Sequence, residues 1–339
     1  MPNSEAKQFF DQYIGMETND FIMLPQSGSS RKNYIGNANG NKFIITENSN
    51  LLENDAFFYF SQVFHDLKLN TPEIFSISDD KKIYVQSYLG SNTLSEIIQK
   101  EGSSNRVKKL VQKSLEKLYT LQTETKNKVD YSKTFEYQRY DEIPIIHDLF
   151  YFKFMFADIL ETHYQKTNLI NEFKKLIEVI ENFKEQGLMI RDFQSRNIMV
   201  NDDDEVFFID YQSAMYGPLM YDVISFLYQA KANFSDDFRE EMLNYYFNLW
   251  NNENIKDNLK NQIAPLQLIR FLQVLGVYGF RGLVQKKEHF INSIPQGIKN
   301  LHQLSISWDG MEQFPELKNI IKQLNQKEAL DKVAFLKNI

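Results

Sequence analysis

The stretch Gly187-Leu188-Met189-Ile190-Arg191-Asp192-Phe193-Gln194-Ser195-Arg196-Asn197-Ile198-Met199-Val200, followed by Phe207-Phe208-Ile209-Asp210-Tyr211-Gln212, decides the reading of this chain. A helix is expected to end near Gly187, and the chain then to enter a tight polar loop bearing Asp192. Asn197 opens a short apolar strand, Asp202-Asp203-Asp204 turns it, and Val206 to Asp210 returns, so that Asp210 stands at the strand's end. One short unit thus delivers two carboxylates and an amide. Oxygen donors of that kind suit magnesium, which keeps water and phosphate in the rest of its octahedral shell. They also suit phosphoryl transfer, in which one acid orients the attacking hydroxyl and the others hold metal on the phosphates. An Asp followed five residues later by Asn arises by chance about once in a chain of this size. The ordered set of Arg-Asp, spaced Asn, apolar strand, acidic turn, apolar strand and Asp is far rarer.

Working outward, the first ninety residues read as strands around one helix. Phe21 to Leu24 is a strand that ends at Pro25 and runs into the small-residue loop Gln26-Ser27-Gly28-Ser29-Ser30. Tyr34 to Ala38 and Lys42 to Thr46 flank Asn39-Gly40-Asn41, the strongest short hairpin signal, because both turn residues tolerate positive φ. Leu51 to Leu67 has helical spacing, and Ile74 to Ile77 with Ile83 to Gln86 makes a second hairpin. From Thr93 the period becomes 3.6, with Asn92 or Thr93 and Glu96 placed to cap the first helix. Helices are expected over Leu110–Leu121, Asp148–Tyr164, Leu169–Gln186, Tyr221–Ala230, Phe238–Trp250 and Gln262–Leu283. The fold expected is α+β, with a small β-rich lobe over residues 1–90 and a larger helical lobe over 91–339.

Composition narrows the function. At 339 residues and 42% hydrophobic the chain can bury a sizeable core. A net charge of −7 argues against nucleic acid as partner, since phosphate backbones demand a dense cationic face. The absence of Cys excludes disulfides, thiolate metal sites and cysteine nucleophiles. Residues 1–11 have no apolar core of the signal-peptide kind. Gln267, Arg270, Gln273 and Arg281 interrupt the apolar run Leu266–Leu283, so no membrane span and a cytoplasmic location are expected. His65, His147, His163, His289 and His302 lack metal-site spacing, and Ser195 and Ser213 lack a hydrolase nucleophile's glycines.

The segments Arg191-Asp192-Phe193-Gln194-Ser195-Arg196-Asn197, Ile209-Asp210-Tyr211-Gln212, Tyr216-Gly217-Pro218 and Tyr221-Asp222 resemble those of the aminoglycoside phosphotransferase superfamily, which has the protein-kinase-like two-lobed fold. Within it they look most like the bacterial cell-wall amino-sugar kinases, which phosphorylate the anomeric hydroxyl of N-acetylmuramate or N-acetylglucosamine. The resemblance runs over about Phe21 to Leu301 and is strongest from Gly187 to Ala230. It implies Asp192 as catalytic base with Arg191 beside it in the catalytic loop, Asn197 and Asp210 as ligands of Mg2+, and Asp222 as a brace for that loop. ATP is the implied phosphoryl donor. Its phosphates fall to the loop Gly28-Ser29-Ser30-Arg31-Lys32, where Arg31 or Lys32 supplies charge, and its adenine to the linker that contains Gln86 and Tyr88.

Two positions depart from the family pattern. Ile190 replaces the usual His two residues before the catalytic Asp, and Thr46 stands where kinase-like folds carry the third-strand Lys. Lys42 lies on the same face of that strand but about 13 Å away, and Glu53 then has no evident lysine partner. The acceptor is expected to be a small neutral or anionic polyol, read by Gln194, Gln212, Tyr140, Tyr216 and Tyr221. Asp148 either accepts hydrogen bonds from sugar hydroxyls or caps a helix N-terminus. Arg270 and Arg281 either face the binding cleft or pair with acids. A kinase for choline or an aminoglycoside is the alternative within the same fold. A nucleotide-binding pseudokinase, supported only by Ile190 and the missing lysine, is the alternative of another class.

Overall fold

The structure is a computed structural model that describes residues 4–25 and 30–337. In chain order α1 (Glu5–Ile14) precedes β1 (Phe21–Met23), β2 (Lys32–Ala38), β3 (Asn41–Glu47) and α2 (Leu51–Asp66). Then come β4 (Ile74–Ile77), β5 (Ile83–Ser87), β6 (Asn92–Thr93), α3 (Leu94–Glu101) and α4 (Asn105–Glu124). Helices α5 (Glu142–Phe152) and α6 (Lys166–Glu181) lead to β7 (Gln186–Met189), β8 (Ile198–Val200), β9 (Val206–Phe208) and β10 (Met215–Pro218). The helices α7 (Met220–Leu227), α8 (Asp236–Asn248), α9 (Glu253–Tyr278), α10 (Glu288–Ile291), α11 (Ile294–Ser307), α12 (Pro315–Leu324) and α13 (Lys327–Lys337) complete the described chain. The class is α+β.

Contacts group the chain into two compact units, residues 1–138 with 190–215, and 139–189 with 216–339. In the first unit β6 pairs with β8 and so holds the chain beyond residue 90 to the β8–β9 hairpin. Lys113 on α4 reinforces that attachment by reaching Glu205 at 2.8 Å. Gly90 serves the same junction. Its φ is 123°, and a Cβ there would lie 2.6 Å from the Val200 carbonyl oxygen, so only glycine fits.

The first unit is built on an antiparallel sheet in the order β1-β2-β3-β5-β4. Asn39 and Gly40 take φ of 54° and 80°, the left-handed pair that closes a two-residue hairpin without splaying its strands. Helix α1 was not expected from the sequence. It buries Ala6 and Phe10 on the sheet beside Tyr34, Ile45 and Val85. The Phe10 ring lies where a Cβ at Gly36 would be, 2.4 Å from its Cε1. Helix α2 buries Phe57, Phe60 and Phe64 along one stripe, as its spacing foretold.

In the second unit β7 and β10 form a two-stranded sheet. The helix expected to run to Gln186 stops at Glu181, because Asn182 Nδ2 folds back onto the Glu178 carbonyl at 2.7 Å and ends the turn. Gln186 to Met189 are therefore strand. Helix α5 also starts earlier than expected, with Asp141 as its N-cap, so Asp148 lies in the helix interior and caps nothing. The run from Glu253 to Val284 is long and apolar enough to cross a membrane by length and composition, contrary to the expectation. Arg270 and Arg281 are the only charged side chains in its C-terminal half, too few to break the apolar window. Sixty-one per cent of that window is buried inside the protein, which marks a core helix.

Candidate active site

The β8–β9 hairpin and the loop before it form a single rigid fixture in the first unit. Ile209 N donates to the Asn197 carbonyl at 3.0 Å, which extends the hairpin ladder up to Asp210. Phe193, 2% exposed, meets Phe208 edge-on with centroids 4.8 Å apart, and Ile190 beside it is 1% exposed. An apolar contact thus anchors the loop at the place where the family's His is missing. Three residues of this fixture take left-handed backbone without being glycine, Asp204 in the hairpin turn at φ 58°, Arg191 at φ 71° and Asp210 at φ 65°. Such conformations persist only where the surroundings enforce them, and they cluster at functional sites.

Asn197 is 8% exposed, and its Nδ2 donates to the Asp192 carbonyl at 2.9 Å while lying 3.4 Å from Asp210 Oδ2. That amide orientation leaves Asn197 Oδ1 without a donor among the described residues. The Asp192 carboxylate is half-buried and also takes no hydrogen bond from the described residues, as a base that must receive a substrate proton requires. Asp210 Oδ1 is engaged twice, by Gln212 Nε2 at 3.1 Å and by the Arg31 guanidinium.

Arg31 explains what became of the missing strand lysine. Its Nε stands 3.8 Å from Glu53 Oε1 on α2, and its Nη2 contacts Asp210. Arg31 therefore bridges a helix carboxylate and the proposed metal carboxylate, and Glu53 has its cation after all. Burial alone would favour the neutral guanidine, but Asp210, and after it Tyr84 and Glu53, outweigh it and hold Arg31 charged above its usual range. Its Nε is buried with no hydrogen-bond acceptor, so the side chain retains donor capacity. Thr46, at the lysine's position, is 1% exposed and fully occupied: Oγ1 donates to Asn33 Oδ1 at 2.8 Å and accepts from Gln86 Nε2 at 3.1 Å. Burial in this region pushes the Tyr84 phenol up to about 12. Lys42 instead lies over the Tyr88 ring at 5.3 Å, and Lys32 is paired with Glu47 at 2.8 Å.

Sequence reasoning missed Tyr211 and Ser61. Tyr211 is fully buried, stacks on Phe57 at 5.0 Å and shares a 2.7 Å hydrogen bond with Ser61 of α2. The residue after Asp210 thus ties the loop that bears Asp210 to the helix that carries Glu53. Its aromatic type was visible in the sequence, but its partner 150 residues away was not.

The remaining candidates separate. Gly28 and Ser29 lie outside the described residues, and Ser30 is exposed. Arg191 pairs with Glu136 at 3.5 Å and faces the Tyr137 ring. Gln194 is half-buried and makes no side-chain hydrogen bond among the described residues, whereas Gln212, 5% exposed, is held between Asp210 and Arg31. Asp148, Tyr216 and Asp222 belong to the second unit. There Asp148 is 2% exposed and accepts a 3.0 Å hydrogen bond from Tyr140 Oη, Arg139 lies over the Tyr216 ring, and Asp222 is fully buried in the first turn of α7. The oxygens of Asp210 and Asn197 suit a hard cation that leaves most of its shell to phosphate and water. No cluster of three His, Cys, Asp or Glu side chains among the described residues offers an all-protein metal cage.

Comparison of the sequence with curated proteins gives no match. Solved structures with the kinase-like fold do match. The choline kinase LicA from Streptococcus pneumoniae is 14% identical, with 88% of this chain and 100% of that one covered at a TM-score of 0.58. The aminoglycoside phosphotransferase APH(4)-Ia, with ADP and hygromycin B, is 16% identical over 91% of this chain and 100% of that one, at 0.60. Plasmodium vivax ethanolamine kinase is 14% identical over 85% and 83%, at 0.56. At these identities they show the protein-kinase-like fold. Residues 27–255, more than half of the sequence and including Arg31, Asp192, Asn197 and Asp210, match the APH family, and the chain belongs to this phosphotransferase enzyme family.

Proposed function

We propose that this kinase, whose acceptor group is an alcohol, is ATP- and magnesium-dependent and phosphorylates a sugar or amino-sugar hydroxyl. The observation that carries the reading is the Asp192–Asn197–Asp210 fixture with Arg31 on its carboxylate. Asp192 takes the proton from the acceptor hydroxyl as the hydroxyl oxygen attacks the γ-phosphate and ADP leaves, since the Asp192 carboxylate has no competing donor among the described residues. Asn197 and Asp210 would hold magnesium. When bound, the ion supplies neutralisation of the phosphate charge that builds in the transition state. Arg31, anchored by Glu53, takes the place of the strand lysine on the phosphates, where a guanidinium offers a bidentate fork. The loop from Gly28 to Arg31 serves the phosphates, and the linker with Gln86 and Tyr88 serves the base. Residues 1–90 act as the nucleotide lobe and 91–339 as the acceptor lobe, in a cytoplasmic protein.

Two measurements bear on the assignment. Arg31→Ala is expected to raise the KM for ATP by about tenfold or more, the value of a charge-assisted hydrogen bond. Lys42→Ala should leave it unchanged, because Lys42 is exposed and turned to Tyr88. The reverse ranking would overturn the role given to Arg31. The acceptor is tested by following ATP consumption over a panel of hydroxyl compounds. Magnesium-dependent turnover is expected on N-acetylglucosamine or N-acetylmuramate, with phosphate on the anomeric oxygen, and little on kanamycin or choline. A preference for choline or an aminoglycoside would remove the sugar assignment.

A further inference from the structure

Helix α2 ends in a cap that does not call for the residue found there. Leu69 N donates to the Phe64 carbonyl and Lys68 N to the His65 carbonyl, both at 2.9 Å. That pair of bonds closes a helix through one left-handed residue, which is here Lys68 at φ 56°. Glycine is the usual occupant, because a side chain in that conformation is strained. The backbone bonds already satisfy the last carbonyls of the helix, so the cap has no need of an ammonium. Strain of this kind is kept where the side chain has another task.

Lys68 borders a cavity of about 350 Å³ that lies wholly within the first unit. That volume falls in the range of small-ligand sites, about 300–1,000 Å³. Its lining is of two kinds: His65, Lys68, Asn70 and Thr71 supply polar groups, and Leu69, Pro72 and Phe207 supply apolar surface. Neither Lys68 nor His65 has an acidic partner among the described residues, and Asp66 between them is held by Gln62 at 2.8 Å. The Asn70 side chain likewise makes no hydrogen bond among the described residues. The Asn70 carbonyl, in contrast, accepts from Phe208 N at 2.9 Å, so the cavity rests on β9, the strand that leads to Asp210.

An ammonium, an imidazole and an amide can direct N–H donors at several oxygens of one tetrahedral anion. The Phe207 ring, with Leu69 and Pro72, suits a flat apolar body attached to it. We propose that this cavity binds a small phosphomonoester with such a body, at a site separate from the Asp192–Asn197–Asp210 fixture.

Phenyl phosphate is the probe, and phenol and inorganic phosphate are its two halves. Titration calorimetry on the full chain is expected to give saturable one-to-one binding of phenyl phosphate, with each half weaker by about tenfold or more. Lys68→Gly removes the cation and relieves the backbone in one step. It should therefore keep or raise the melting temperature while the Kd for phenyl phosphate rises about tenfold or more. If the glycine variant melts lower, Lys68→Asn reads the same loss, because asparagine also accepts left-handed backbone. Arg31→Gln should leave the Kd as it is, since Arg31 is engaged at Asp210 and Glu53. Binding that survives in Lys68→Gly, or that weakens as much in Arg31→Gln, would place the anion elsewhere and overturn the site. Phenyl phosphate that binds no tighter than phenol, or not at all, would overturn it as well.

Discussion

Asp192→Asn is expected to lower turnover by at least about 100-fold, the usual contribution of a positioned general base, with nucleotide affinity nearly unchanged. The substitution is close to isosteric, and the structure gives three reasons why it should read chemistry and not folding. The loop is fixed through the Asp192 backbone carbonyl, which accepts from Asn197 at 2.9 Å, and not through its side chain. Phe193 locks the same loop onto Phe208 by an apolar contact. The carboxylate makes no hydrogen bond among the described residues that an amide would break. An asparagine can still accept a hydrogen bond from the acceptor hydroxyl but cannot take its proton. KM for the acceptor should therefore move far less than kcat, and the melting temperature should hold. Near-normal turnover in this variant would remove Asp192 from the mechanism.

What the sequence disclosed was whatever is local. The Asn39-Gly40 turn, the capping box of Thr93 and Glu96, and the hairpin from Ile198 to Phe208 are each decided within a dozen residues, and each stands as expected. Helix α1 escaped because its moment means nothing until there is a sheet for Phe10 to cover. The end of α6 escaped because one Asn side chain, not a Gly or Pro, stops it. In the site, the type and spacing of Asp192, Asn197 and Asp210 were legible, but their electrostatic partners were not. Arg31 meets Asp210 across 179 residues of sequence, and no local pattern encodes that pairing. The same gap misplaced the question of Glu53, which looked unpaired only because its cation comes from the loop before β2 instead of from β3. Gln212, expected to read the acceptor, hydrogen-bonds Asp210 and Arg31, partners that its local sequence does not announce.

Asp210→Ala is expected to abolish the part of ATP-dependent thermal stabilisation that requires magnesium. A ligand present at about a hundredfold its Kd stabilises the native state by about 2.7 kcal/mol, or about 4 °C for a chain of this length. In the unaltered protein ATP with magnesium should exceed ATP alone by a shift of that size, and in the variant the two should coincide. The alanine has a second consequence that must be kept apart from the first. Asp210 neutralises Arg31, whose side chain is only 16% exposed and whose other carboxylate, on Glu53, stands 3.8 Å away. Removing Asp210 leaves that guanidinium short of charge, so the ligand-free variant should itself melt lower. Asp210→Asn separates the two effects, because asparagine tolerates the φ of 65° better than alanine and keeps an oxygen toward Arg31 and Gln212 while losing the negative charge. It should recover part of the ligand-free melting temperature without recovering the magnesium-dependent increment. An increment that survives in both variants would mean that Asp210 serves only to hold Arg31 and Gln212, and that the metal is held elsewhere.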